Sequence, residues 1–257
     1  MRRFVTSNPF LYTLGLAFVF LLWLILSYAV GGGELVVPSP AATFSRLFQM
    51  LGDPYTYRCL GMTLLRTLEG FAISFVAAGI LGCLSGEFPL LRSFLKPMLA
   101  VAKSAPTAAF VFLFLLLSGA SRAPIWIVVL LAFPILYESF AEGIGATEKE
   151  VLDAAAVDGA NRIQRLWHLR LPLGVPYVIL GLLSSFALSF KTTIMAEIVA
   201  GDTGPGLGSS IVAYRSLDPT DLAPIFAIAL IAIVVVLLLD LTAYIGNKVL
   251  GLSRKDQ

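Results

Sequence analysis

Ionisable side chains interrupt long apolar runs at Arg66, Glu69, Lys103, Glu138, Lys191, Glu197 and Asp240. At the centre of a membrane-spanning helix each would cost about 2.5–3.5 kcal/mol on insertion scales, so each calls for a partner or a task. The chemistry open to them is electrostatic. Lys191, in "SFKTTIMAE", is a cation flanked by Phe190, Thr192 and Thr193 and could lend a passing anion a transient counter-charge. Thr192, Lys103 and Ser104 would continue such a polar path, together with Glu197 near the end of the same apolar run as Lys191. The structural alternative for Lys191 is an ion pair with Glu197 or Glu138. Positions 191 and 197 do not share a helix face, so those two side chains would need different partners. Arg66 and Glu69 are spaced as an intrahelical pair. Glu138 reads as an anchor for the polar segment that follows it, and Asp240 receives no role.

Other chemistry is poorly provided for. His168 is the single histidine, which argues against a histidine metal centre or proton relay. Cys59 and Cys83 have no metal-ligand spacing and read as unpaired packing residues. No G-x-x-x-x-G-K-[ST] phosphate loop occurs, and the Gly-rich "GDTGPGLGSS" carries no lysine, so it reads as a turn. No catalytic, cofactor-binding or metal-binding residue is assigned.

The elements that must position these groups follow from composition. Of 257 residues, 58% are hydrophobic and 13% charged, and the mean hydropathy is +0.89. Soluble chains carry about 25% charged residues, so this one lacks the polar surface to face water. It reads as an all-α integral membrane protein with a single transmembrane domain over 1–257. Six spans are expected, near 10–30, 62–85, 97–118, 124–142, 174–200 and 222–246. The first follows a basic start, but its apolar run is longer than the roughly 7–15 residues of a signal peptide, so it reads as an uncleaved span. "SPAATFSRLFQML" predicts an interfacial helix between the first two spans. Ala78, Gly82 and Gly86 recur every four residues and invite close approach of another helix.

Lysine and arginine set the orientation. With the N-terminus inside, eleven basic residues fall on the cytoplasmic side (Arg2, Arg3, Arg92, Lys96, Lys149, Arg162, Arg165, Arg170, Lys248, Arg254, Lys255), against Arg46, Arg58, Arg122 and Arg215 outside. Both termini are therefore expected in the cytoplasm.

One polar segment on that side stands out. In "TEKEVLDAAAVDGANRIQRLWHLRLP", Thr147 and Glu150 are spaced as a capping box. Gly159 can end a helix in the left-handed conformation, and Asn161 reads as the cap of a second helix. Pro172 and Pro176 are expected to stop that helix and launch the next span. The product is a helix–turn–helix elbow, about 147–172, with small residues at its tip.

The segment resembles the signature of binding-protein-dependent ABC transporter permeases: an acidic residue, two alanines, three residues, Gly, nine residues, an aliphatic residue, one more, then Leu-Pro. Asp153-Ala154-Ala155, Gly159 and Leu169-Arg170-Leu171-Pro172 keep every interval, with Asp in place of the usual Glu at 153 and Leu in place of Ile at 169. "VPSPAATFSRLFQML", Pro106, Pro134 and "MAEIVAGDTGPGLGSSI" are similar to the nitrate/sulfonate/taurine branch of that family. The resemblance implies a type I importer permease fold in which Asp153, Ala154, Ala155, Asp158, Gly159, Ala160 and Pro172 belong to a coupling elbow seated in an ATPase. It also implies a second permease subunit, expected to be identical, two cytoplasmic ATPases that hold the ATP and magnesium, and an extracytoplasmic solute-binding protein. The chain itself would contribute a pore in the bacterial inner membrane, contacting lipid and no nucleic acid. The solute expected is a small oxyanion such as nitrate, a sulfonate or bicarbonate. A heterocycle such as a thiamine-precursor pyrimidine or riboflavin is the alternative, and an ATP-independent channel or membrane enzyme is the rival class.

Overall fold

A computed structural model describes residues 9–29, 37–104 and 106–249. The described residues form helices and connecting turns, without strands. In chain order the helices are α1 (Pro9–Ala29), α2 (Pro40–Leu51), α3 (Pro54–Glu87), α4 (Pro89–Ser104), α5 (Thr107–Ser118), α6 (Ala123–Gly145), α7 (Lys149–Val157), α8 (Arg162–Arg165), α9 (Leu171–Ala200), α10 (Leu207–Leu217) and α11 (Ala223–Val249). The terminal basic residues used to orient the chain (Arg2, Arg3, Arg254 and Lys255) lie outside the described residues.

Local sequence explains several starts. Ser39 caps α2, accepting from the Ala42 amide at 3.2 Å, and Pro40 follows at a position where its missing N–H is harmless. Asp53 and Pro54 repeat the device for α3, with the Tyr55 amide donating at 2.9 Å. The helix expected between the first two spans is α2.

Four helical segments have the length and hydropathy of a span: Pro54–Glu87, Ala123–Gly145, Ile163–Ala200 and Ala223–Thr242. The expected third span, 97–118, is not one straight helix. It is split between α4 and α5, bent by 99°. Pro106 supplies the reason, since its ring excludes a helical carbonyl one turn back and it has no N–H to donate. The pair counts as a fifth span only if the break is bridged. α1 supplies a shorter apolar helix, Thr13–Ala29, so a count of six is not reached on length and composition.

The core is a layered packing of α3 on α6 and α6 on α9. Small residues set the separations. A Cβ at Gly82 would lie 2.6 Å from the Phe140 Cβ and 2.9 Å from the Tyr137 carbonyl oxygen. One at Gly86 would lie 2.4 Å from the Ile144 Cγ2, and Ala78 is fully buried in the same seam. The expected small-residue stripe is thus the α3–α6 contact. At the α6–α9 contact Gly143 and Gly174 touch backbone to backbone, where an added Cβ would meet a carbonyl at 2.9 Å. Outward-facing residues such as Ile233, Val234, Leu237 and Leu238 are exposed and apolar, as a lipid-facing surface requires. α1 rests beside α2 and α11, with Trp23 stacked near Phe226 and donating to the Pro38 carbonyl at 3.2 Å.

Candidate functional site

The elbow is built from α7, a turn and α8. Gly159 has φ +84°, the left-handed conformation that reverses the chain, and no heavy atom lies within 4 Å of where its Cβ would be. Its amide donates to the Ala156 carbonyl and the Ala160 amide to that of Ala155, closing α7. Asn161 caps the second helix as expected, and Gln164 completes the box: the Gln164 amide donates to Asn161 Oδ1 at 2.8 Å and the Asn161 amide to Gln164 Oε1 at 2.9 Å. Asp153, Ala154, Ala156, Val157, Asp158 and Gly159 are exposed, with Ala155 and Ala160 half-buried. Val157 is 87% exposed, an apolar side chain at the tip with nothing among the described residues to cover it.

Two local expectations fail here. Thr147 does not cap α7: the cap position is Glu148, without a side-chain bond, and the Thr147 hydroxyl is buried without a partner among the described residues. The helix starts one residue too late for the spacing with Glu150 to close. Nor do Pro172 and Pro176 stop the second helix. α8 runs through a π-turn, Leu166–Arg170, straight into α9. The Leu171 amide donates to the Leu166 carbonyl, five residues back. The wider turn makes room for a proline that a regular helix would reject, so Pro172 sits in the first turn of α9. The second helix of the elbow and the fifth expected span thus form one continuous helical rod, Ile163–Ala200, with α7 joined to it through the Gly159 turn.

That rod is pinned where it leaves the elbow. Arg170 Nη1 lies 2.9 Å from Glu87 Oε1 at the end of α3, and donates at 3.3 Å to the Gly86 carbonyl. Arg165 reaches back to the Leu152 carbonyl of α7 at 3.4 Å.

The charges within the apolar helices pair differently from their sequence spacing. Arg66 turns from Glu69, which is exposed, and enters a buried network at the far end of α9. Its Nη1 is 2.6 Å from Glu197 Oε1 and 2.9 Å from the Pro205 carbonyl, and its Nη2 is 2.5 Å from the Thr203 carbonyl. Glu197, fully buried, also accepts from Thr63 Oγ1 and from the Gly208 amide at 2.9 Å. Several acceptors in one dry place satisfy a buried guanidinium better than one neighbouring carboxylate can. A Cβ at Gly206 would lie 2.7 Å from Glu197 Oε1 and 2.8 Å from Arg66 Nη1, which accounts for a glycine in the turn. Alongside, Thr67 and Thr193 share a hydroxyl contact at 2.8 Å.

Lys191 therefore has neither expected partner. Glu197 belongs to Arg66, and Glu138 pairs with Lys103 instead of anchoring the elbow. Lys191 is exposed on α9 and makes no ion pair among the described residues, whereas the adjacent Thr192 is buried and bonds the Leu188 carbonyl. Ser104 is exposed and bonds the Val101 carbonyl. The proposed path residues thus divide. Lys191, Lys103 and Ser104 reach the surface of this chain, while Thr192 and Glu197 point into it. Among the described residues no cluster suited to a metal ion occurs.

Residues 70–248 match the family described as binding-protein-dependent transport system inner membrane component. The riboflavin transport system permease protein RibX of Chloroflexus aurantiacus is 31% identical over 217 residues, covering 84% of this chain and 78% of that one. The taurine transport system permease protein TauC of Escherichia coli is 25% identical, with coverages of 79% and 75%. The nitrate import permease protein NrtB of Synechocystis sp. is 24% identical, with coverages of 93% and 89%. A chain of the MetNI methionine ABC transporter shares the fold, at a TM-score of 0.59 and 15% identity, over 77% of this chain and 94% of that one. The chain belongs to the binding-protein-dependent inner-membrane permeases: it is a multi-pass transport subunit, not an enzyme, of the kind that works with ATPase and binding-protein partners.

Proposed function

We propose that this chain is half of a two-subunit pore, with an identical copy as the other half, and that the tip of its elbow seats in a cytoplasmic ATPase. ATP and magnesium belong to that partner, and both termini of this chain lie on the same side as the elbow. The observation that carries the reading is the tip, 153–160, turned by Gly159 and left mostly exposed by the other described residues. Small side chains there admit a partner's cleft, and Val157 offers it an apolar contact. Movement of the ATPases would reach the pore through α9, because the second helix of the elbow is continuous with α9 and Arg165 on it holds the Leu152 carbonyl of α7. Replacing Val157 with Asp tests this in the full chain, since the side chain meets solvent and its loss costs the fold little. The variant should insert and melt normally but fail to co-purify the ATPase subunits. Normal co-purification and transport would refute the docking.

The solute is a small oxyanion. The taurine and nitrate relatives support this, as does an exposed Lys191 without a carboxylate partner among the described residues. A heterocycle is the second reading, favoured by the 31% identity to the riboflavin system permease. The binding protein would make most of the selection, because a conducting path must release its solute readily.

A further inference from the structure

A cavity of about 480 Å³ opens between α4 and α6, lined among others by Arg92, Lys96, Lys103, Tyr137, Glu138 and Glu142. Its charges are unevenly matched. Lys103 is paired with Glu138, whereas Arg92 and Lys96 have no carboxylate partner among the described residues. Glu142 alone opposes them, so the lining carries a surplus of one positive charge. The wall holds a second oddity. Tyr137 is 2% exposed, and its hydroxyl is buried without a hydrogen-bond partner among the described residues. A buried donor left unmade costs about 1–3 kcal/mol, which is poor economy unless something else accepts from it.

The helix that carries the cations is itself amphipathic. Arg92, Lys96 and Lys103 share one face of α4, and the exposed Leu90, Phe94, Met98 and Val101 share the opposite one. Such a helix lies in the headgroup layer of a membrane, apolar side in the acyl chains and basic side among phosphates. The site stands at the elbow end of α6, apart from Lys191 and from the elbow tip.

We propose that this cavity binds a phosphate-type oxyanion, with Arg92 and Lys96 supplying the charge and the Tyr137 hydroxyl donating one hydrogen bond. Glu142 excludes ligands that bring surplus negative charge to its side. The shared chemistry is a phosphate group, whether on a lipid headgroup or free in solution. The site stands or falls independently of ATPase docking.

The test uses the full chain in phosphatidylcholine nanodiscs. In one arm phosphatidylglycerol is mixed in, and native mass spectrometry counts the anionic lipid retained per chain over its share of the bilayer. In the other, inorganic phosphate is titrated into discs without phosphatidylglycerol and the thermal midpoint is followed. Saturable binding in the first arm alone identifies a headgroup, and in the second a free anion. Arg92→Gln with Lys96→Gln should weaken binding in the responsive arm by at least about tenfold. Tyr137→Phe should weaken it severalfold while leaving the unliganded chain as stable or more so, since only an unpartnered hydroxyl is removed. Glu142→Gln should tighten it. Should the double variant fail to fold, Tyr137→Phe and Glu142→Gln still decide. No saturable binding in either arm, or binding indifferent to Tyr137→Phe and Glu142→Gln, overturns the site.

Discussion

Arg66 of α3 and Glu197 of α9 stand 131 positions apart in the sequence and 2.6 Å apart in space. Around that pair the turn between α9 and α10 closes, because Arg66 also holds the Thr203 and Pro205 carbonyls and Glu197 also holds the Gly208 amide. The pair thereby fastens two long helices and a loop at one point.

Removing one partner should be costly. Glu197→Gln leaves a buried guanidinium uncompensated and is expected to cost about 3–5 kcal/mol of stability. Arg66→Met should cost a similar amount. The double variant should lose clearly less than the sum, with a coupling above about 1 kcal/mol in thermal or denaturant unfolding of the full chain. Additive losses would mean that the two side chains act independently.

The α3–α6 seam offers a paired comparison. At Gly82 an added methyl meets the Phe140 Cβ and a backbone oxygen, neither of which can yield, whereas at Gly79 it meets only the ring tip of Phe140 at 3.4 Å. Gly82→Ala should destabilise by about 1–3 kcal/mol through overpacking. Gly79→Ala should be neutral or gain up to about 1 kcal/mol, as helical glycine-to-alanine changes do. Equal effects at the two sites would contradict the packing.

Transmission from the elbow should depend on the Arg170–Glu87 contact, 2.9 Å long and mostly shielded from solvent. Glu87→Gln leaves the tip unaltered, so ATPase subunits should still co-purify. Solute-stimulated ATP hydrolysis should nevertheless fall severalfold. A variant with full stimulation would show that α9 moves without this contact to α3.

Lys191 separates the two solute readings. Lys191→Met should lower uptake of an anionic solute by about tenfold, the lower end of what a focused counter-charge contributes. It should leave uptake of an uncharged heterocycle nearly unaltered. Unchanged anion uptake would remove Lys191 from the path, since no ion pair among the described residues gives it a structural duty.

Much was legible in the residues alone. Length of apolar run and basic-residue bias define membrane helices locally, because insertion depends on composition over about twenty neighbouring positions. The spacing from Asp153 to Pro172 is likewise local, and it carries both the elbow and the family resemblance within twenty consecutive residues. Gly159 at φ +84° and the Asn161 cap are where short-range rules put them. What tertiary structure alone decided is which distant groups meet. Arg66 sits three residues from Glu69 yet pairs with Glu197, because a buried charge must be offset by whichever hydrogen-bonding groups the fold packs around it, irrespective of chain distance. Lys103 meets Glu138 across α4 and α6 in a half-exposed contact that only the packing of those helices creates. The run from α8 into α9 past Pro172 was also hidden, since a π-turn's tolerance of proline depends on how the whole rod packs against α3 and α6.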